Sequence, residues 1–182
     1  MALGKVGFFG RLTLILSGLL IVTASRPLTE LPVNNPIIVQ GKDPTYGVKY
    51  SSKDLQCMAL NIYHEARSEP ILSQYAVAYT VLNRVHSRRY SNNICTVIYD
   101  NRKGVCQFSW TCNAGKVKEI AAWEKSKFIA QIALDTYSRM NDPTYGALWY
   151  HAMYVYPKWA REFSIGIKYG DHVFYPEFGE KR

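Results

Sequence analysis

The stretch Leu60-Asn61-Ile62-Tyr63-His64-Glu65-Ala66-Arg67 closes an amphipathic pattern that begins near Lys53. Ser51 or Ser52 stands where a helix N-cap belongs, and Asp54 falls in the first turn, where a negative charge meets exposed backbone N–H groups. Leu55, Met58, Ala59, Ile62 and Ala66 recur at i, i+3, i+4 and i+7 and define a core-facing side. Glu65 lies seven residues after Met58 and three after Ile62, so the same period turns it inward. A carboxylate placed there is desolvated, which raises its pKa and lets it keep a proton near neutral pH. That is the condition for a general acid. The competing reading pairs Glu65 with Arg67 or Arg84 and makes it a fastener of the helix.

The chain has 182 residues, enough for one domain with an appendage. Its 22 Lys+Arg against 14 Asp+Glu give a net charge of +8 and imply an anionic partner. The charges are scattered; nucleic acid is open on charge alone but no nucleic-acid-binding motif accompanies it, and the polymers of an anionic cell envelope suit the charge equally well.

Residues 1–25 read as a signal peptide or signal anchor. Lys5 and Arg11 precede an apolar run from Leu12 to Val22, and Val22-Thr23-Ala24 offers small residues for cleavage after Ala24. The run is short for a membrane span, although an uncleaved anchor over Val6–Ala24 is open if Arg11 snorkels. Residues 26–50 carry Pro27, Pro32, Pro36 and Pro44 and read as a linker. The catalytic domain is then 51–182, exported to the periplasm or envelope, monomeric, and in contact with membrane only through the N-terminal segment.

Within that domain, Ser73 can cap a second, buried helix reaching about Arg88. Thr96–Tyr99 and Val105–Ser109 read as a hairpin around Asp100–Gly104, with Gln107 and Ser109 on its polar face. Lys118–Met140 is a third helix with a packing role. Ala147–His151, Ile165–Tyr169 and His172–Tyr175 are short strands, with a helical turn at Pro157–Phe163 and a hairpin turn at Gly170-Asp171. Trp149, Tyr150, His151, Trp159 and His172 are placed to wall a cleft opposite Glu65. Four cysteines in an exported domain suit two disulfides in one of three connectivities; the hairpin favours Cys95–Cys106, leaving Cys57–Cys112. None of the four histidines has the spacing of a zinc motif, so no metal and no cofactor is expected.

Several blocks in order resemble the SleB-type cell-wall hydrolases: Tyr63–Arg67, Glu69-Pro70, Gln74–Ala78, Val81–Val85, Cys106–Trp110, Tyr150-His151, Pro157–Ala160 and Gly170–Tyr175. The resemblance covers roughly residues 52–175. One departure is Ser68, where the family usually has glycine. The resemblance implies an α+β, mainly helical, lysozyme-like domain with a small antiparallel sheet and a substrate groove. It implies cleavage of peptidoglycan glycan strands, with Glu65 as the catalytic acid. Tyr63, Gln107, Ser109, Trp110, Tyr150, His151 and His172 are the candidate substrate-binding residues. A zinc-dependent amidase or peptidase and a non-catalytic envelope-binding protein are the alternatives. An ordinary glycosidase needs two carboxyl groups. Here Glu69 is expected to be solvated beside Pro70 and Asp171 to sit at a hairpin tip. Glu65 alone, with the muramic acid 6-hydroxyl as nucleophile, therefore favours lytic transglycosylation to 1,6-anhydro products.

Overall fold

The structure is a computed structural model that describes residues 48–113, 115–137 and 142–179. The expected export segment, almost all of the linker and the end of the third helix lie outside the described residues. Among the described residues no helix is long and apolar enough to cross a membrane.

α1 spans Ser52–Ala66 and opens on a complete capping box. The Asp54 N–H donates to Ser51 Oγ, and the Ser51 N–H donates to Asp54 Oδ2 at 3.0 Å. Met58, Ala59, Ile62 and Ala66 are buried as their period requires. α2 spans Ile71–His86 and is buried on nearly every side from Ala76 to Arg84. It starts at Pro70 rather than at Ser73: the Gln74 N–H already donates to the Pro70 carbonyl, and Ser73 Oγ donates instead to the Tyr169 carbonyl at 3.1 Å. Pro70 is the N-cap, with an extended ψ of 152°, and the helix proper begins at Ile71.

The region read as a strand before Asp100 is instead a helical turn, α3, Ile94–Ile98. Asn93 Oδ1 accepts the Thr96 N–H at 2.9 Å, and Ile94, Val97 and Ile98 face the core. The hairpin keeps only β1, Asn101–Arg102, and β2, Val105–Cys106. Ser109–Cys112 forms a short helical turn, α4, so Gln107 and Ser109 do not share a strand face. α5 spans Ile120–Thr136 and buries Ile129, Ala130, Ala133 and Leu134 against α1 and α2. Truncating a buried residue such as Ile62 or Leu134 to alanine costs about 2–5 kcal/mol.

β3, Ala147–Ala152, β4, Ile167–Tyr169, and β5, His172–Pro176, form an antiparallel sheet in the order β3-β5-β4. A single-turn helix at Lys158–Glu162 connects β3 to β4. Alternation gives the sheet two faces. Tyr150 and Phe174 turn to the helices beside Ala66 and Val77, while Trp149, Val173 and Tyr175 pack on Ala160 and Phe163. The expected class, α+β and mainly helical with a small sheet, is observed.

The disulfides are Cys57–Cys95 and Cys106–Cys112, which overturns the expected pairing. Helix α3 carries Cys95 beside α1 and away from the hairpin, so Cys57 is its near neighbour. α4 folds Cys112 back on Cys106, six residues earlier.

A buried polar cluster launches β3 toward the site. Asp142 Oδ1 accepts the Thr144 N–H at 2.8 Å, and Asn83 Nδ2 donates to Asp142 Oδ2 at 2.7 Å. Tyr137 in turn donates its hydroxyl to Asn83 Oδ1 at 2.9 Å. With Gly146 at φ +85, this fixes the turn before Ala147.

Candidate active site

A cavity of about 290 Å³ opens between α1, the Gln107–Ser109 segment and β3. Glu65 enters it from α1 because Met58 and Ile62 hold that helical face inward. Burial pushes the Glu65 carboxyl pKa up; the Tyr150 hydrogen bond and the Arg84 charge oppose that shift less strongly. Tyr150 donates its hydroxyl to Glu65 Oε2 at 3.0 Å. Arg84 reaches the cavity from α2, where its Nε donates to the Leu148 carbonyl at 2.8 Å and its guanidinium lies over the Phe108 ring. Arg67 pairs instead with Glu119 at 2.9 Å. Among the described residues neither arginine is within ion-pair distance of Glu65, although the Arg84 charge favours its ionised form.

Of the expected substrate-binding residues, Gln107, Ser109, Tyr150, His151 and His172 line this cavity with Glu65. Tyr63 does not. It is buried, and its hydroxyl accepts the Lys118 and Glu119 N–H groups, each at 3.0 Å, which anchors the start of α5. Trp110 also stands outside the lining: its Nε1–H donates to Asn61 Oδ1 at 3.1 Å, and its ring stacks on His64 at 4.7 Å. Trp149 packs on Phe163, and Trp159 stands edge-on to His151.

Arg84, expected from the sequence only as a possible partner of Glu65, lines the cavity, and so do His64, Phe108, Ala152 and Tyr154, which the sequence did not place there. His64 precedes Glu65 on the helix and is held toward its neutral form, chiefly by burial and then by the Arg67 charge. A Cβ on Gly115 would come within 2.6 Å of the His64 ring, so only glycine lets that strand of chain pass. Adjacency to Glu65 and the Arg84 periodicity were available as signals; the others depend on tertiary packing.

Glu69 is not solvated. Its side chain is only 12% exposed, and its Oε1 lies 3.8 Å from His172 Nδ1. Glu69 Oε2 accepts the Asp171 N–H at 3.0 Å. A Cβ at Gly170, where φ is +53, would collide with that carboxylate, so the hairpin glycine gives Glu69 its place. Burial outweighs the neighbouring Glu69 charge and lowers the His172 pKa, leaving the imidazole neutral at pH 7. Glu69 thus braces the β4–β5 turn through the Asp171 N–H. Among the described residues lining the cavity, Glu65 is the single carboxylate.

A larger hollow of about 800 Å³ lies at the end of α2, between His86 and Tyr145. Its two carboxylates are already engaged, Asp142 by Thr144 and Asn83 and Glu177 by Arg89 at 3.1 Å. Among the described residues no three His, Cys, Asp or Glu side chains gather as a metal site requires.

The family model described as Cell Wall Hydrolase matches residues 68–175, beginning just past Glu65 and covering more than half of the chain. The chain belongs to the cell wall hydrolase family. A spore cortex-lytic enzyme of Bacillus cereus is 33% identical over 126 residues, which are 69% of this chain and 45% of that enzyme. One from Halalkalibacterium halodurans is 45% identical over 51 residues, 28% of this chain and 16% of the relative. The chain therefore spans less than half the length of the curated relatives it matches. Among solved structures, the catalytic domain of the germination-specific lytic transglycosylase SleB from Bacillus anthracis aligns with a TM-score of 0.57 and 32% identity. That alignment covers 69% of this chain and 96% of the domain. The Bacillus cereus SleB catalytic domain gives 0.56 and 28%, over 74% of this chain and 98% of that one. The cell wall hydrolase fold of this chain is thus the SleB catalytic fold.

Within this cavity, the Tyr150 hydrogen bond favours the charged form of Glu65. Tyr150→Phe should therefore raise the Glu65 pKa further and move the alkaline limb of any Glu65-dependent pH–rate profile to higher pH. A hydrogen bond to a charged group is worth about 1.5–3 kcal/mol, so kcat should also fall roughly 10- to 100-fold. A lower kcat with an unmoved limb would mean that Tyr150 acts only on substrate.

Proposed function

We propose that the protein cleaves peptidoglycan glycan strands between N-acetylmuramic acid and N-acetylglucosamine by lytic transglycosylation, with Glu65 as the acid and then the base. The carrying observation is the single desolvated carboxylate in the cavity, hydrogen-bonded to Tyr150 and facing the Arg84 charge. Protonated Glu65 gives its proton to the bridging oxygen as the glycosidic bond breaks. The carboxylate left behind is stabilised by the Tyr150 O–H and the buried Arg84. It then takes the proton of the muramic acid 6-hydroxyl as that oxygen bonds the anomeric carbon. No water is consumed, and the enzyme returns protonated.

His151, His172, Gln107 and Ser109 supply the polar wall that orients the sugars. His64 adds a neutral imidazole beside Glu65, its ring stacked on Trp110. The likeness to SleB catalytic domains and the net charge of +8 support an anionic wall polymer as partner. Export to the periplasm or envelope, tethering through residues 1–25, and a monomeric state belong to the same reading.

Purified sacculi incubated with the full chain should release soluble glycan fragments bearing new carbohydrate termini, at the same rate with or without a chelator. Release of new peptide amino termini, or chelator-sensitive lysis, would support the zinc amidase or peptidase instead. Binding without release would support the envelope-binding reading.

A further inference from the structure

Beyond Ala152 the chain runs Met153-Tyr154-Val155-Tyr156-Pro157-Lys158-Trp159, leaving the cavity that Ala152 and Tyr154 line. Tyr154 is 88% exposed and Tyr156 66%, and Met153, Val155 and Trp159 are exposed with them. Single exposed apolar side chains are ordinary, but a contiguous set beside a cavity marks a surface that something covers.

The segment is fastened in place. The Met153 N–H donates to the Asp171 carbonyl at 2.7 Å, and the Val155 N–H to the Ala152 carbonyl at 2.9 Å. Tyr156 and Trp159 stand edge-on to His151 at 6.1 and 5.7 Å. His151 itself stacks on Tyr175, whose hydroxyl lies 2.8 Å from its Nε2. The aromatic rings are therefore carried on a held backbone, which reduces the ordering cost of binding.

We propose that Met153–Trp159 is a saccharide-binding platform that extends the catalytic cavity. It receives the N-acetylated aminosugars adjoining the scissile bond of the strand. This proposal rests on the glycan-cleaving reading above. A pyranose ring presents an apolar C–H face, and its acetamido methyl adds a second apolar group. Flat, amphipathic tyrosine rings match both while their hydroxyls stay wet. Tyr154 ties the platform to the chemistry, because it lines the same cavity as Glu65 while its ring stands in solvent. A lipid surface or a second copy of this chain seated here would cap the cavity mouth; a glycan strand running out of the cavity would not.

The test uses the full chain carrying Glu65→Gln, so that strands are bound without turnover, and peptide-stripped peptidoglycan glycan strands fractionated by length. Adding Tyr154→Ala and Tyr156→Ala should weaken the Kd for long strands about tenfold or more. The melting temperature should stay unchanged, since both rings are largely exposed, and Tyr154→Phe with Tyr156→Phe should restore most of the affinity. An unchanged Kd, or no measurable binding by the Glu65→Gln protein, overturns the platform. So does a result in which the alanine pair leaves strand binding intact but abolishes binding to anionic phospholipid vesicles or self-association in sedimentation. The wild-type chain separates the two claims. Strand binding lost with the tyrosines but no cleavage by wild type would keep the platform and remove the catalytic reading. Cleavage with tyrosine-independent binding would do the reverse.

Discussion

Glu65→Gln should reduce release of glycan fragments from sacculi by about 10²–10⁴-fold, the range for losing a positioned general acid, while the fold survives. The amide keeps the shape, and its oxygen still accepts the Tyr150 hydroxyl. The variant should also melt higher than wild type at neutral pH. Burial raises the Glu65 pKa, so the folded state holds that proton more tightly than the unfolded chain. As pH rises from the ordinary carboxyl range through the raised folded pKa, wild type loses stability, and above that value the loss is complete. Glutamine never ionises and escapes it. The gap between the two melting curves should be absent in acid, open across that window, and stay constant above it. A variant that cleaves at near wild-type rate would remove Glu65 from the chemistry. A gap independent of pH would remove burial as the reason it holds a proton.

Replacing Cys57 and Cys95 together by alanine should cost about 4 kcal/mol, and replacing Cys106 and Cys112 about 2 kcal/mol, on chain-entropy grounds. The two bonds close segments of 38 and 6 residues, so the first restrains far more of the unfolded chain. Function should divide the other way. Cys57–Cys95 joins α1 to α3, away from the cavity mouth, whereas Cys106–Cys112 frames Gln107 and Ser109 on the cavity wall. Its loss should raise KM more than it lowers stability. Urea unfolding of the two double variants checks the order of the costs. A larger loss from the Cys106–Cys112 pair would contradict it.

The first helix was legible because one side carries every signal at once. Ser51 and Asp54 cap it, and Met58, Ala59, Ile62 and Ala66 keep a single period that Glu65 shares. The sheet was legible for a similar reason: short alternating runs separated by Gly170-Asp171 leave few pairings. Ile94–Ile98 was not. Its β-branched Thr96-Val97-Ile98 reads as strand, and the helical spacing of Ile94, Val97 and Ile98 is visible only with Asn93 recognised as the cap. The disulfide pairing followed that error, because pairing depends on which elements lie side by side and not on spacing along the chain. Glu69 looked solvated because nothing near it in sequence covers it; its burial comes from Gly170 and His172, a hundred residues on. Arg84, His64 and Tyr154 enter the cavity from α2, α1 and the turn after β3. Only their meeting around Glu65 gives them a shared role.

In the proposed reaction one carboxylate, Glu65, cleaves the strand without using water. The deciding measurement is mass analysis of the fragments that the full chain releases from purified sacculi with no other wall enzyme present. Every new muramic acid terminus should be the 1,6-anhydro form, one water lighter than the reducing sugar left by hydrolysis, and Glu65→Gln should release neither. Fragments ending only in reducing muramic acid would contradict the claim and require a second group beside Glu65 to activate water.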